Sequence, residues 1–349
     1  MDWKRIFQKS KIYPIILIAI CFIVYQCRKK EAVQLLENFP TLRGTTMGVK
    51  YAITIEDPMV KVRAGQIDSL LHAFNLTFST YIENSEISLF SASDSIFTAS
   101  TELLKVMKRA QEVYKNTNHA FDPTVMPLVN AWGFGYQKIE KLPTHTDLDS
   151  ILQFVGFDNI EIKGNQLIKK NAHTQLDLSA IAKGYGCDVV AQFLEQKGIT
   201  NYVVEIGGEI TCKGEGRYGK GWEIGIEEPV ENQTQERNNV RHILYINKVR
   251  GIATSGNYRN FYEKEGKKYT HTIDPKTGKQ IQSDLLSATV LAPSCMIADA
   301  YATAFMVMGS KKAIEIAETN PTLEVLFIYN LNNQLETYLS ETLRTKLEK

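Results

Sequence analysis

An α+β fold is predicted by three observations. Helical spacing governs most apolar positions before residue 200, strand-like alternation governs most of those after it, and a last apolar helix follows the strands. Strands and helices therefore do not alternate strictly, as a doubly wound parallel sheet would require. At 349 residues, the chain can bury one large core or two modest ones.

Gly44 to Ile55 reads as a strand with turn chemistry at its start. Val60 to Phe78 is helical by the spacing of Val62, Ile67, Leu70, Leu71 and Phe74. Thr101 to Tyr114 is a second amphipathic helix, ended by the polar cluster Asn116–Asn118. Residues 136–147 are loop-like, Asp147 to Phe154 is a short helix, and Ile160 to Ile168 is a hairpin around residues 163–166. Ser179 to Lys197 is helical and stops at Gly198. Strands follow at Asn201–Ile206, Trp222–Glu227, His242–Ile246, Gly251–Thr254, Lys268–Ile273 and Leu286–Leu291, and residues 229–240 read as a mobile polar loop. Ser294 caps a helix over Cys295–Met308. Leu323–Tyr329 alternates once more, with a turn at Asn330–Asn333.

Residues 1–30 are different in kind. Lys4, Arg5, Lys9 and Lys11 precede the charge-free apolar run Ile12–Tyr25, which Gln26, Cys27 and Arg28–Lys30 follow. This is an export signal or a short membrane anchor. No small-x-small cleavage site closes the run, so an uncleaved anchor over 1–30 is expected, with 31–40 as a linker. Lipid attachment at Cys27 is the second choice, because Gln26 is not the small residue such processing prefers. The formal net charge is +1, to which residues 1–30 contribute +6, leaving −5 on the remaining 319 residues. That slightly acidic body excludes a general nucleic-acid binder, which needs a basic face. Among the five cysteines no CxxC pair occurs, and Cys187 and Cys295 sit in apolar helical patterns that suit free buried thiols.

The most informative stretch is Leu176–Tyr185, which sets Asp177, Ser179, Lys183 and Gly184 where a strand runs into a helix. A lysine in the first helical turn opposes the helix dipole unless an anion, such as phosphate, shares that end. An ordinary surface lysine near a cap is the alternative. Asp299 and Thr303, four apart, project from one face of an otherwise apolar helix. A carboxylate there needs a partner, and no Lys or Arg lies within a turn in the sequence. A hard cation with oxygen ligands meets that need, Mg²⁺ in particular. So would a distant arginine or backbone amides. His271 ends a strand before the turn Asp274–Gly278, and an imidazole there is able to take a proton from an alcohol, though single strand histidines are often structural. Gly207–Gly208 is a bulge, a ligand contact or a hairpin turn. The segments Ala120–Pro127 and Trp132–Gly135 wall a flat ligand or cap a core, and Tyr81 is a candidate stacking ring.

Taken in order, these signals resemble the ApbE family, the FAD:protein FMN transferases, over residues 40–310. The matching motifs are Gly44–Gly48, Ser79–Tyr81 with Ser85–Ser88, Ala120–Thr124, Trp132–Gly135, Leu176–Gly184, Glu205–Glu209, Thr254–Arg259, His271 with Asp274–Gly278, and Ala298–Asp299 with Ala302–Thr303. The resemblance implies a T-fold-like α+β architecture, with mixed or antiparallel sheets packed against helices, in a catalytic domain over 41–340. It also implies a Mg²⁺-dependent reaction that cleaves FAD, passes FMN to a Thr or Ser hydroxyl of a flavoprotein and releases AMP. Asp299, Thr303 and the Ala180 carbonyl would hold Mg²⁺. Met47, Tyr81, Ala120, Phe121, Asp122, Asp177, Lys183 and Ile273 would contact FAD, and His271 would deprotonate the acceptor. His119 departs from the glycine many members carry, with an expected effect on access to the flavin. The partners implied are FAD, an acceptor such as a membrane redox-complex subunit, and the bacterial inner membrane through the N-terminus, with the domain outside the cytoplasm. FAD pyrophosphatase activity and FAD binding without turnover are the alternatives.

Overall fold

The computed structural model describes residues 41–56, 62–137, 139–216, 218–227, 240–248, 250–256, 261–264, 267–270 and 272–347. The expected anchor (1–30), with Cys27, and the linker (31–40) lie outside them, as do His271 and nearly all of the polar loop at 229–240. Among the described residues, no helix is long and apolar enough to cross a membrane.

The described residues open with a hairpin where the sequence reads as one strand. β1 (Thr41–Thr46) and β2 (Val49–Ile55) are joined by Met47 at φ 49° and Gly48 at φ 74°. Two successive positive φ values turn a tight hairpin, and methionine gives no sequence warning of one. Helices α1 (Ala64–Phe78), α2 (Glu86–Ala92) and α3 (Thr101–Asn116) follow, with the short strand β3 (Ile96–Thr98) before α3. Next come α4 (Met126–Ala131), α5 (His145–Leu152) and the hairpin β4 (Ile160–Lys163)–β5 (Gln166–Lys169). Helix α5 starts two residues earlier than its apolar pattern because Thr144 and Asp147 cap it reciprocally.

Helix α6 (Ser179–Gln196) leads into β6 (Tyr202–Ile206) and β7 (Glu209–Lys213). Gly207 (φ 64°) and Gly208 (φ 103°) turn that hairpin, as one of the three readings of the glycine pair had it. Then come β8 (Trp222–Glu227), β9 (Val240–Ile246), β10 (Arg250–Gly256), β11 (Phe261–Lys264), β12 (Lys267–Thr270) and β13 (Leu285–Ala292). The chain continues through α7 (Cys295–Met308), α8 (Ser310–Thr319), β14 (Glu324–Leu331), β15 (Gln334–Leu339) and α9 (Glu341–Leu347).

Eight strands form one sheet in the order β1-β2-β6-β7-β10-β13-β14-β15. Every pairing in it is antiparallel. On one face, α1 and α6 cover β2 and β6 through Ile67, Leu71, Val190 and Leu194, while α7 covers β10 and β13 through Ala298, Ala302 and Phe305. On the other, the β8–β9 hairpin and α9 pack Ile224, Leu244 and Leu343 against Ile252, Leu291 and Leu326. β13 and β14 are thus buried on both faces, so Val325–Tyr329 is a continuous apolar run instead of the alternation expected over Leu323–Tyr329, and β13 buries Ser287 and Thr289 among its apolar residues. Cys187, Cys212 and Cys295 are free and buried, as two of them read in the sequence.

Candidate active site

The crossing of α6 and α7 builds the centre of the site. Gly184 makes it close: a Cβ there would lie 2.2 Å from the Cys295 carbonyl oxygen and 2.8 Å from Asp299 Cβ. Asp188, one turn further along α6, accepts from the backbone N–H groups of Cys295 and Met296 at 2.9 Å each and so holds the first turn of α7. Ser294 caps the same end as expected, accepting from Ile297 N. With the helices locked together, the Gly184 N–H donates to Asp299 Oδ2 at 2.9 Å. Ala180, one turn before Gly184 on the same helix, also lines the cleft.

Asp299 is 2% exposed. Its cationic neighbour comes from the other helix: Lys183 Nζ lies 3.8 Å from Asp299 Oδ1 and 3.3 Å from Glu209 Oε1, and donates to the Ser179 carbonyl at 3.2 Å. The carboxylate therefore has a backbone amide and an ammonium as partners, as the second sequence reading of Asp299 allowed, with a lysine in place of an arginine. Burial raises the Asp299 pKa, with Lys183 and the Gly184 N–H only partly opposing it. Burial likewise pushes Glu209 up to about 7. Burial works against the Lys183 charge, but Asp299 and Glu209 outweigh it and its pKa is raised. Thr303 lies one turn beyond Asp299, with its Oγ1 3.4 Å from Ser255 Oγ on β10.

These groups open on a cleft of about 440 Å³, within the size range of small-molecule sites. Every expected site residue among those described lines it: Ala180, Asp299 and Thr303, then Met47, Tyr81, Ala120, Phe121, Asp122, Asp177, Lys183 and Ile273. Met47 is brought in by its positive-φ turn and packs toward Gly186. Asp122 Oδ1 accepts from Thr124 N (2.8 Å) and Oγ1 (2.6 Å), and burial still pushes its pKa up to about 6. Asp177 Oδ1 accepts from Ser179 N at 2.8 Å, fixing the entry to α6, while its own N–H donates to the Pro123 carbonyl. Tyr81 is 74% exposed at the mouth.

Trp132 follows the second of its two readings, and His119 differs from expectation. Trp132 does not line the cleft; its Nε1 donates to the Gly278 carbonyl at 2.8 Å, tying that loop to the Asp274–Gly278 turn. His119 does not line it either. It stands at φ 64°, where glycine is the easier residue, and stacks on Tyr114 at 4.1 Å, so the histidine changes the backbone's comfort rather than entry to the cleft. Glu209 and Ser255 are lining residues to which the sequence assigned no role, although both fall inside quoted motifs. An acid directly after a hairpin-closing glycine pair was the available signal for Glu209.

Among the described residues no three His, Cys, Asp or Glu side chains cluster as a metal site. A donor set of one carboxylate, one hydroxyl and one carbonyl, all oxygen, fits Mg²⁺, which binds few protein groups and leaves positions for phosphate oxygens. Zinc, with its nitrogen and sulfur ligands, does not fit.

The sequence profile of the ApbE family matches residues 47–327. A FAD:protein FMN transferase of Vibrio cholerae is 40% identical over 341 residues, covering 96% of this chain and 99% of that protein. One from Haemophilus influenzae is 39% identical over 353 residues, covering 97% and 99%. Among solved structures, the flavin transferase ApbE from Vibrio cholerae has a TM-score of 0.81 at 40% identity, covering 89% of this chain and 99% of that one. The apo flavinyl transferase ApbE of Pseudomonas stutzeri has a TM-score of 0.78 at 29% identity, covering 89% and 98%.

Proposed function

The chain belongs to the ApbE family, and from that membership we propose that it is an FAD:protein FMN transferase, moving FMN from FAD to a Thr or Ser hydroxyl of a flavoprotein. In the reaction the acceptor oxygen attacks the phosphorus of the FMN half. The bond from that phosphorus to the bridging oxygen breaks, AMP leaves with the oxygen, and the hydroxyl proton passes to a base, for which His271 is the candidate.

One observation carries the reading: residues scattered from Met47 to Thr303 that the family resemblance selects converge on a single cleft. Asp299, the Thr303 hydroxyl and the Ala180 carbonyl would hold Mg²⁺, whose charge would offset that of the pyrophosphate. Lys183 presents an ammonium at the same place, suited to the anionic pyrophosphate. Met47, Tyr81, Ala120 and Phe121 supply an apolar and aromatic wall for the flavin ring, with Asp122, Asp177 and Ile273 as further FAD contacts. Residues 41–340 are the catalytic domain in this reading. The apolar segment over 1–30 would hold it at the outer face of the bacterial inner membrane, or a lipid on Cys27 would do so. The acceptor would then be a flavoprotein of the same compartment, such as a membrane redox-complex subunit.

The test combines the protein, FAD, Mg²⁺ and a Thr-containing acceptor domain, following AMP, free FMN and in-gel flavin fluorescence. A fluorescent acceptor with equimolar AMP is expected. Free FMN with AMP and a dark acceptor would make the protein an FAD pyrophosphatase, and intact FAD would leave it a binder only.

A further inference from the structure

Lys183 faces two carboxylates, Glu209 at 3.3 Å and Asp299 at 3.8 Å. Both acids are nearly fully buried, at 5% and 2% exposure. Glu209 uses one oxygen for the lysine, and its other, Oε2, is buried without any hydrogen-bond partner among the described residues. A buried carboxylate oxygen with no donor is costly and calls for an explanation. The backbone around it is rigid: Glu209 pairs with Ile206 across the Gly207–Gly208 turn, and its carbonyl accepts from Cys187 Sγ at 3.2 Å. The idle oxygen therefore belongs to an arm held firmly in place.

We infer that Glu209 is a positioning residue for Lys183, keeping its ammonium in the cleft when a divalent cation takes Asp299. This rests on the cation site proposed above. With no cation, Lys183 is shared between the two acids. A cation at Asp299 repels the ammonium and claims the oxygen it leans on, so Lys183 must either leave or find another acceptor. Glu209 Oε2 is that acceptor, beside the oxygen Lys183 already uses. Without the Glu209 charge, the lysine would have Asp299 as its sole carboxylate and would compete with the cation for it. With all three groups ionised, the formal charge says the same: −1 in the native set, 0 for Glu209→Gln, and −1 again when Lys183→Met is added.

The experiment is titration calorimetry of Mg²⁺ into the full chain without FAD, a readout independent of turnover. Glu209→Gln, close in shape, is expected to weaken binding by about 10-fold or more, the range seen when partners behind a metal ligand are lost. Glu209→Asp, which keeps the charge, should retain binding. The double variant Lys183→Met/Glu209→Gln should bind more tightly than Glu209→Gln alone, an outcome that general damage to the site would not produce. Unchanged binding in Glu209→Gln, or weaker binding still in the double variant, would overturn the inference while leaving the cation site standing. No Mg²⁺ binding by the unaltered protein would remove the cation site and the inference with it.

Discussion

The backbone N–H of Gly184 donates to Asp299 Oδ2 at 2.9 Å, across two helices 115 residues apart in sequence. Only a residue without a Cβ permits this, because α6 and α7 touch at that point. The bond orients a buried carboxylate, and the same close approach brings Lys183 beside it. Much of the chemistry proposed for the cleft depends on this contact.

Gly184→Ala should therefore separate the two helices. The added methyl meets the Cys295 carbonyl rather than a flexible side chain, so relief requires backbone movement. A loss of about 1–3 kcal/mol is expected, the usual range for overpacking. FMN transfer should fall as well. Urea melts alongside the transfer assay check both, and a variant of native stability would contradict the tight crossing.

Asp299→Ala should abolish turnover while leaving a folded protein that gains no thermal stability from Mg²⁺. Removing charge stabilisation worth several kcal/mol corresponds to about 10²-fold or more in rate. EDTA should inactivate the unaltered protein to a similar extent. Full activity of Asp299→Ala in the presence of EDTA would refute the cation assignment.

Tyr81→Ala separates stability from binding. The ring is 74% exposed, so its loss should change stability by no more than about 0.5 kcal/mol. A lost aromatic stack worth about 0.5–1.5 kcal/mol should raise KM for FAD by about 2- to 13-fold. Unchanged KM would mean the flavin does not stack there.

Asp122 gives a pH signature. Burial raises its pKa from 3.8 to about 6 in the folded protein. The folded state thus binds the proton more tightly than the unfolded state, and this contribution to stability is full below pH 3.8 and lost as pH rises through about 6. A shift of that size corresponds to about 3 kcal/mol. Asp122→Asn, which keeps an acceptor for Thr124, should flatten the stability profile over that window and be the more stable protein at pH 7. Urea denaturation at several pH values decides it, and parallel profiles for the two proteins would refute the shift.

Much of the outline was legible in the residues. The apolar period and Ser294 cap located α7 from Cys295 to Met308, and the Lys163–Gln166 turn located β4 and β5. Other elements hid for identifiable reasons. The Met47–Gly48 turn carries no typical first residue, and α2 and α4 are too short for a period to show. Within the cleft, motif order singled out Asp299, Thr303 and Lys183. It gave no role to Glu209, whose meaning lies in the atoms around it rather than in its spacing.

The sequence by itself determined the family, the order of motifs and the extent of the two site helices α6 and α7, because these depend on residue identity and on periods of two and 3.6 read along the chain. Tertiary structure alone decided that Lys183, Glu209 and Asp299 share one buried space, that Met47 folds into it, and that Trp132 and His119 stay outside. Such proximities arise where surfaces distant in sequence meet, and at the helix crossing the meeting turns on the volume of one absent methyl group.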